Sequence, residues 1–189
     1  MVVSSPTPDV DNRPISSPQA TKLRILETAE RLFTEQGFAA TSLREITATA
    51  RVNLTAVNYH FGSKEALIDA VLTRRLQPLN QLRLDELNAL EATSCGRPLS
   101  VTAILNVYVG ATFKLDENPT SGGSIFLRFL GRAFTEPTEQ VKQILQRQYA
   151  VMAVRYKHAL MAALPHVSEE DLVAHAVYVR CHFLYDGGY

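Results

Sequence analysis

Residues 41–64 read TSLREITATARVNLTAVNYHFGSK, and the fold turns on how this stretch is read. Leu43, Ile46 and Ala50 recur at the spacing of one helix face, directly after Ser42, a favoured N-cap. Arg51 and Val52 leave room only for a turn. Asn53 can cap a second helix whose inward positions are Val57 and Phe61, four apart. The groups left facing outward are Thr55, Ala56, Asn58, Tyr59 and His60. A merely solvated helix face carries Lys and Glu, whereas a face that enters a groove to read base edges tolerates neither bulk nor acid. The pattern fits a helix-turn-helix over 42–61, with 53–61 as the recognition helix. Two short amphipathic helices around a turn also occur in many all-α proteins, so the flanks must decide.

Upstream, residues 22–42 (KLRILETAERLFTEQGFAATS) carry Ile25, Leu26, Ala29, Leu32 and Phe33 on one helical stripe. Thr21 is placed to cap that helix, and Gly37 suits a C′ position with positive φ. The stripe is expected to cover Leu43, Ile46, Val57 and Phe61 in a three-helix core. Downstream, Ser63, Lys64 and Glu65 open a long helix whose apolar side is Leu67, Ile68, Val71, Leu72, Leu76 and Leu79. Pro78 removes an N–H within it and is expected to kink or restart the helix near Gln77.

The run 22–72 resembles the TetR family of bacterial transcriptional regulators. The residues that carry the resemblance are Ile25, Leu26, Ala29, Leu32, Phe33, Gly37, Phe38, Thr41, Ser42, Ile46, Ala50, Val52, Phe61, Lys64, Glu65 and Leu67. It implies an all-α protein with a three-helix helix-turn-helix DNA-binding domain over 21–80. A helical ligand-binding and dimerisation domain would follow over 81–189. It implies, too, a homodimer on a palindromic double-stranded DNA operator, acting as a repressor and released by a small apolar effector. Thr41, Ser42, Tyr59, His60 and Lys64 match positions that contact phosphates in the family; a packed, neutral His60 is the alternative for that residue. There are two departures. Arg51 stands where the family turn usually has Gly, and a left-handed non-Gly residue there costs about 1–2 kcal/mol. Asn58 stands where Tyr is commonest; Asn is shorter and can pair bidentately with adenine, which points to a different operator.

Composition agrees with an ordinary soluble chain: 189 residues, 46% hydrophobic, 20% charged, net charge zero. Charge is unevenly placed. Residues 22–75 hold eight basic and six acidic side chains, and from Leu43 to Lys64 only Glu45 is acidic, so the DNA-facing side can be locally positive. Cys95 and Cys181 have no metal or redox spacing and read as reduced thiols of a cytoplasmic protein. The first twenty residues contain no apolar run, so no signal peptide is expected, and no segment approaches membrane length. His158, His166, His175 and His182 are scattered; His175 and His182 are seven apart, but no acid or cysteine completes a metal set. With no nucleophile elbow, phosphate loop or paired catalytic carboxylates, the sequence suggests no enzyme, metal or cofactor.

Residues 1–20, with Pro6, Pro8, Pro14 and Pro18 among serines, read as a disordered arm. The C-terminal part reads as helices near 99–115, 124–134, 138–164 and 168–185, with a break at 95–98, a loop at 118–123 and a variant capping box at 168–171. No stretch alternates with period two, so no sheet is expected. Ile104, Val107, Tyr108, Ala111, Phe126, Phe129, Phe134, Tyr149, Met152 and Tyr156 are the candidate pocket, each with ordinary core as the alternative. They come without a polar constellation, which suits an apolar ligand with at most one charged end. Residues 53–64 and 124–134 are similar to the PsrA-like, fatty-acid-responsive subgroup of the family. That similarity implies a long-chain fatty acid or acyl-CoA effector, with Arg128 or Arg132 meeting its anionic end unless they lie on an exposed face or in a dimer salt bridge. Family members close with two interface helices, and the sequence stops before the second, which suggests a truncated or smaller interface. Since 64–91 is read as the sole link to the recognition helix, a ligand wedged beneath Tyr108 and Phe129 is expected to act through that helix alone.

Overall fold

The computed structural model of the chain describes residues 17–116, 123–135 and 137–172. Along them run α1 (Pro18–Gln36), α2 (Leu43–Ala50), α3 (Leu54–Phe61), α4 (Lys64–Thr93), α5 (Val101–Asp116), α6 (Gly123–Thr135) and α7 (Glu139–Ala163). No strand occurs among the described residues, and the all-α expectation holds.

Each early helix starts where a short polar side chain can satisfy a free N–H. Ser42 Oγ accepts from Glu45 N at 3.2 Å, Asn53 Oδ1 from Ala56 N at 2.7 Å, and Ser63 Oγ from Ala66 N at 3.1 Å. The first helix starts earlier than the sequence suggests. Ser17, not Thr21, is its cap, accepting from Ala20 N at 3.2 Å, and Pro18 fills N1, where its missing N–H costs nothing. Thr21 is instead inside the helix, donating its N–H to Ser17 O at 3.0 Å. Residues 18–20 therefore belong to α1 and Ser17 caps it, while the rest of the expected arm, 1–16, lies outside the described residues. Gly62, at φ 78°, turns the chain sharply from α3 into Ser63 and α4, a conformation that a side chain would strain.

The expected three-helix core exists but is larger than expected. Ile25, Leu32, Phe33, Ile46 and Val57 join Leu67, Val71, Leu72 and Leu76 of α4 in one cluster, with Leu43 and Phe61 packed partly against it. Phe129 and Ala133 of α6 and Val141, Ile144 and Leu145 of α7 belong to the same cluster. Each fully buried Leu, Ile, Val or Phe side chain contributes about 1.5–3 kcal/mol relative to exposure. That shared core crosses the boundary drawn at residue 80, which itself falls inside α4. Phe38 is the bridge, 5.3 Å from the Phe33 ring and 5.6 Å from the Phe129 ring. The body thus meets the N-terminal helices through α6 as well as α4, which corrects the expectation of a single connecting helix.

Nor does α4 restart at Pro78; it runs on unbroken to Thr93 with the proline exposed. Polar contacts hold it to α7: Arg147 to Asp69 at 2.8 Å, Gln148 Nε2 to Thr73 Oγ1 at 2.7 Å, and Asn80 Nδ2 to Gln148 O at 2.9 Å. Of the fourth body helix only the opening turn at 169–172 is described; Ser168 Oγ accepts from Asp171 N at 3.0 Å, as the capping pattern predicts. The loop expected at 118–123 lies outside the described residues except for Gly123, which begins α6.

Candidate DNA-binding surface and effector site

Arg51 makes the tight turn possible. It sits in the left-handed region at φ 53° and ψ 48°, its N–H bonded to Ala48 O and that of Val52 to Thr47 O. The left-handed position that usually takes Gly is therefore present here with a non-Gly side chain. Its guanidinium is exposed and makes no hydrogen bond or ion pair with any described residue. Val52 anchors the turn by packing partly on the core.

With α3 fixed by Val57 on one side and the Asn53 cap at its start, Thr55, Asn58 and Tyr59 share its exposed side. Tyr59 is 81% exposed, an aromatic ring left almost wholly in water, with His60 edge-on to it at 5.0 Å. His60 itself is half-buried, next to Phe61. Lys64, at the start of α4, stands beside the loop after α1, donating from Nζ to Ala39 O at 3.2 Å. The lone acid of the stretch, Glu45, accepts from Gln36 Nε2 at 2.5 Å, so its charge is engaged away from the α3 face. Arg44, exposed at the start of α2 without a partner among the described residues, adds a cation that the motif reading passed over. Two expected contacts change. Thr41 is fully buried, its hydroxyl donating to Gly37 O at 2.8 Å and near Leu32 O at 3.3 Å, so it braces the loop and does not face outward. Ala56 is half-buried against the core and is not freely outward.

In the body, the candidate pocket does not form one space. Ile104, Met152 and Tyr156 make a cluster with Val107, Tyr108 and Tyr149 partly packed on it; Ala111 and Phe126 form another; Phe129 belongs to the N-terminal core. Phe134 meets Tyr149 in a tilted contact at 5.8 Å, where the N-terminal core adjoins the Ile104 cluster. Tyr108 and Phe129 therefore pack in different clusters. A groove of about 320 Å³ opens elsewhere, at the far end of α4, lined by Glu91, Arg97, Leu99, Ala159 and Ala162 among others.

The expected lack of a polar constellation is also wrong. Arg83 of α4 is 4% exposed. Its Nε donates to Tyr108 O at 3.0 Å and Nη2 to Thr112 Oγ1 at 2.9 Å, and its face lies 3.9 Å from the Tyr108 ring centre. Tyr156 donates its hydroxyl to Arg83 O at 2.9 Å; burial pushes that phenol up to about 12, against the opposing charge of Arg83, so it stays a neutral donor. The signal was available: Leu76, Leu79, Arg83 and Leu87 continue one inward stripe, and a charge in that register is anomalous. By contrast Arg128 is exposed, and Arg132 reaches Glu35 O of α1 at 3.5 Å, so neither lies in the body's interior.

A capped helix-turn-helix with an uncharged exposed side, set on a helical body, is the architecture of the helix-turn-helix class of DNA-binding proteins. Comparison with known proteins makes this specific. The profile described as "Bacterial regulatory proteins, tetR family" matches residues 25–71, and "Tetracyclin repressor-like, C-terminal domain" matches 106–185. The chain belongs to the TetR family of bacterial transcriptional regulators. It is similar to the HTH-type transcriptional repressor Rv3405c of Mycobacterium tuberculosis, 52% identical over 48 residues, a stretch covering 25% of this chain and 26% of that one. The match therefore spans about a quarter of that relative's length. Among solved structures, the SmeT–triclosan complex is similar at 26% identity and a TM-score of 0.55, over 77% of this chain and 66% of that one. The fold also matches NalD, the secondary repressor of the MexAB-OprM multidrug efflux pump in Pseudomonas aeruginosa, at 23% identity and a TM-score of 0.57, over 89% and 83%. No helix among the described residues is long and apolar enough to cross a membrane.

Proposed function

We propose that this protein is a cytoplasmic repressor that binds a palindromic operator as a homodimer and leaves it when a small apolar effector enters the body. The observation that carries the reading is the exposed side of α3, where Thr55, Asn58 and the 81%-exposed Tyr59 are uncharged, while Arg44, Arg51 and Lys64 supply cations on the adjoining α2, turn and α4. Short neutral groups such as Asn58 can read base edges, while Tyr59 and the cations can hold phosphates. The repressor named among its relatives supports the direction of control, and the triclosan bound by SmeT supports a small apolar effector. A fatty acid or acyl-CoA is the effector favoured by the similarity of residues 53–64 and 124–134 to the fatty-acid-responsive subgroup.

Two recognition helices related by a two-fold axis call for half-sites about one helical turn apart, ~34 Å, or a small multiple. The effector then has two mechanical routes to them: the setting of α4, and the seat of α6 on Phe38. A coupling of ~1–3 kcal/mol suffices to change operator affinity by about 5–150-fold. The test is fluorescence anisotropy of the full chain on the duplex flanking its own coding region against random duplex of equal length, at two salt concentrations. Preference for the native duplex that survives high salt is expected. Equal affinity for both at every salt concentration would refute sequence-specific binding.

A further inference from the structure

Arg83 carries a full positive charge into the body, and its hydrogen-bond partners among the described residues are all neutral. Besides Tyr108 and Thr112, its Nη1 approaches Asn80 Oδ1 at 3.4 Å. No carboxylate among the described residues pairs with it; Glu86, one turn along α4, is paired with Lys114. The contrast is with Arg75 on the same helix, which meets the buried Glu30 carboxylate at 2.7 Å. Guanidinium cannot discharge itself by losing a proton, and it has more N–H bonds than these contacts use. A buried cation held only by neutral dipoles is an arrangement that an incoming anion improves.

The surroundings say what else the ligand must be. From Arg83 an apolar tract of Leu87, Ile104, Met152 and Tyr156 leads to Ala159 and Leu99. Those last two also line the groove at the far end of α4, beside Glu91. Arg83 and Glu91 are eight residues apart on one helix, about 12 Å at the usual rise. Met152, unbranched and adaptable, is the side chain in the tract best able to move aside.

We infer that Arg83 is the anion-binding end of the effector site, and that the effector is a monoanionic amphiphile whose carboxylate pairs with Arg83 while its apolar tail lies along Leu87, Ile104 and Met152 toward the groove. This rests on the reading of the body as an effector-binding domain. It gives the ligand a length and a charge, and it assigns recognition of that charge to a residue buried in α4.

The experiment is isothermal calorimetry of the full chain with two probes of matched tail, decanoate and decanol, below micelle-forming concentrations. Decanoate is expected to bind at least tenfold more tightly. Arg83→Met should abolish that preference and leave decanol within about twofold. Thr112→Asp, which places a carboxylate beside the guanidinium, should block decanoate selectively and raise the melting temperature of the ligand-free protein. This second variant decides the matter should Arg83→Met not fold. Equal affinities of the two probes for the native protein would overturn the anion site while leaving an apolar effector in place. Preference for decanoate that persists in either variant would move the site away from Arg83. Binding of neither probe would remove the apolar-effector reading and this inference together.

Discussion

The two ends of the molecule are held in different ways. At the N-terminal end, helices of 8 residues are fixed by a cap at each start and by one large cluster that includes Ile25, Phe33, Ile46 and Val57, all fully buried. In the body, long helices share smaller clusters with a charged centre between them, and large apolar side chains remain outside: Leu105, Val109 and Phe113 on α5, Val151 and Val154 on α7. One end is packed around a single large cluster. The other holds a costly buried cation and loosely divided packing, a composition suited to being rearranged.

The comparison can be broken most forcefully at Phe33. Phe33→Ala should cost about 3–5 kcal/mol, read as a lowered denaturant midpoint. Met152→Ala in the body, where packing is divided among smaller clusters, should cost less, near the low end of the ~2–5 kcal/mol seen for such truncations. Similar losses for the two would erase the distinction drawn here.

On the DNA face the effects are expected to be smaller and of two kinds. Asn58→Ala should lose about 1–3 kcal/mol of discrimination at a single base position, measured against a set of operator variants. Tyr59→Ala and Lys64→Ala should weaken binding to all duplexes alike, and Lys64→Ala alone should also reduce the salt slope by about 1. A change in base preference for Tyr59→Ala would reverse the roles assigned to these neighbours.

Arg51→Gly tests the turn. Removing the side chain from a left-handed residue should raise stability by about 1 kcal/mol in thermal unfolding. The same change should lower operator affinity and its salt dependence, because the exposed guanidinium is lost. Stability and affinity moving together would mean that the turn geometry, not the charge, serves binding.

The smallest effect is expected at Glu65. Its carboxyl is held below the usual 4.5 chiefly by a backbone N–H at the start of α4, then by Ser63. A depressed folded-state value means that its contribution is present above the ordinary Glu value and fades as pH falls through the lowered one. Melting curves of Glu65→Gln and the native chain should therefore differ above that window and converge at its acid side.

How much of this could be read from residues alone follows the same division. Ser42, Asn53 and Ser63 announce their helices because a cap is a local event, three residues wide. Ser17 was hidden by Thr21, another plausible cap, although Pro18 at the first helical position is the stronger sign. Thr41 resembled an outward contact because nothing in sequence shows that Leu32 O and Gly37 O lie on its other side. The body's pocket could not be assembled from apolar residues, since their partition among clusters depends on how α5, α6 and α7 are set around α4. Arg83 is the exception: its register betrayed it, though not its company.

The seam at Phe38 has a consequence for engineering. Phe129, Ala133, Val141, Ile144 and Leu145 are shared property of both ends of the molecule. A head excised at residue 80 would carry off one half of that seam and present Phe38 to water. Grafting the operator specificity of this protein onto another regulator therefore means transplanting a matched pair of surfaces, α1 with its loop and the side of α6 that faces it. A chimera joined only along α4 would be stitched at the wrong place.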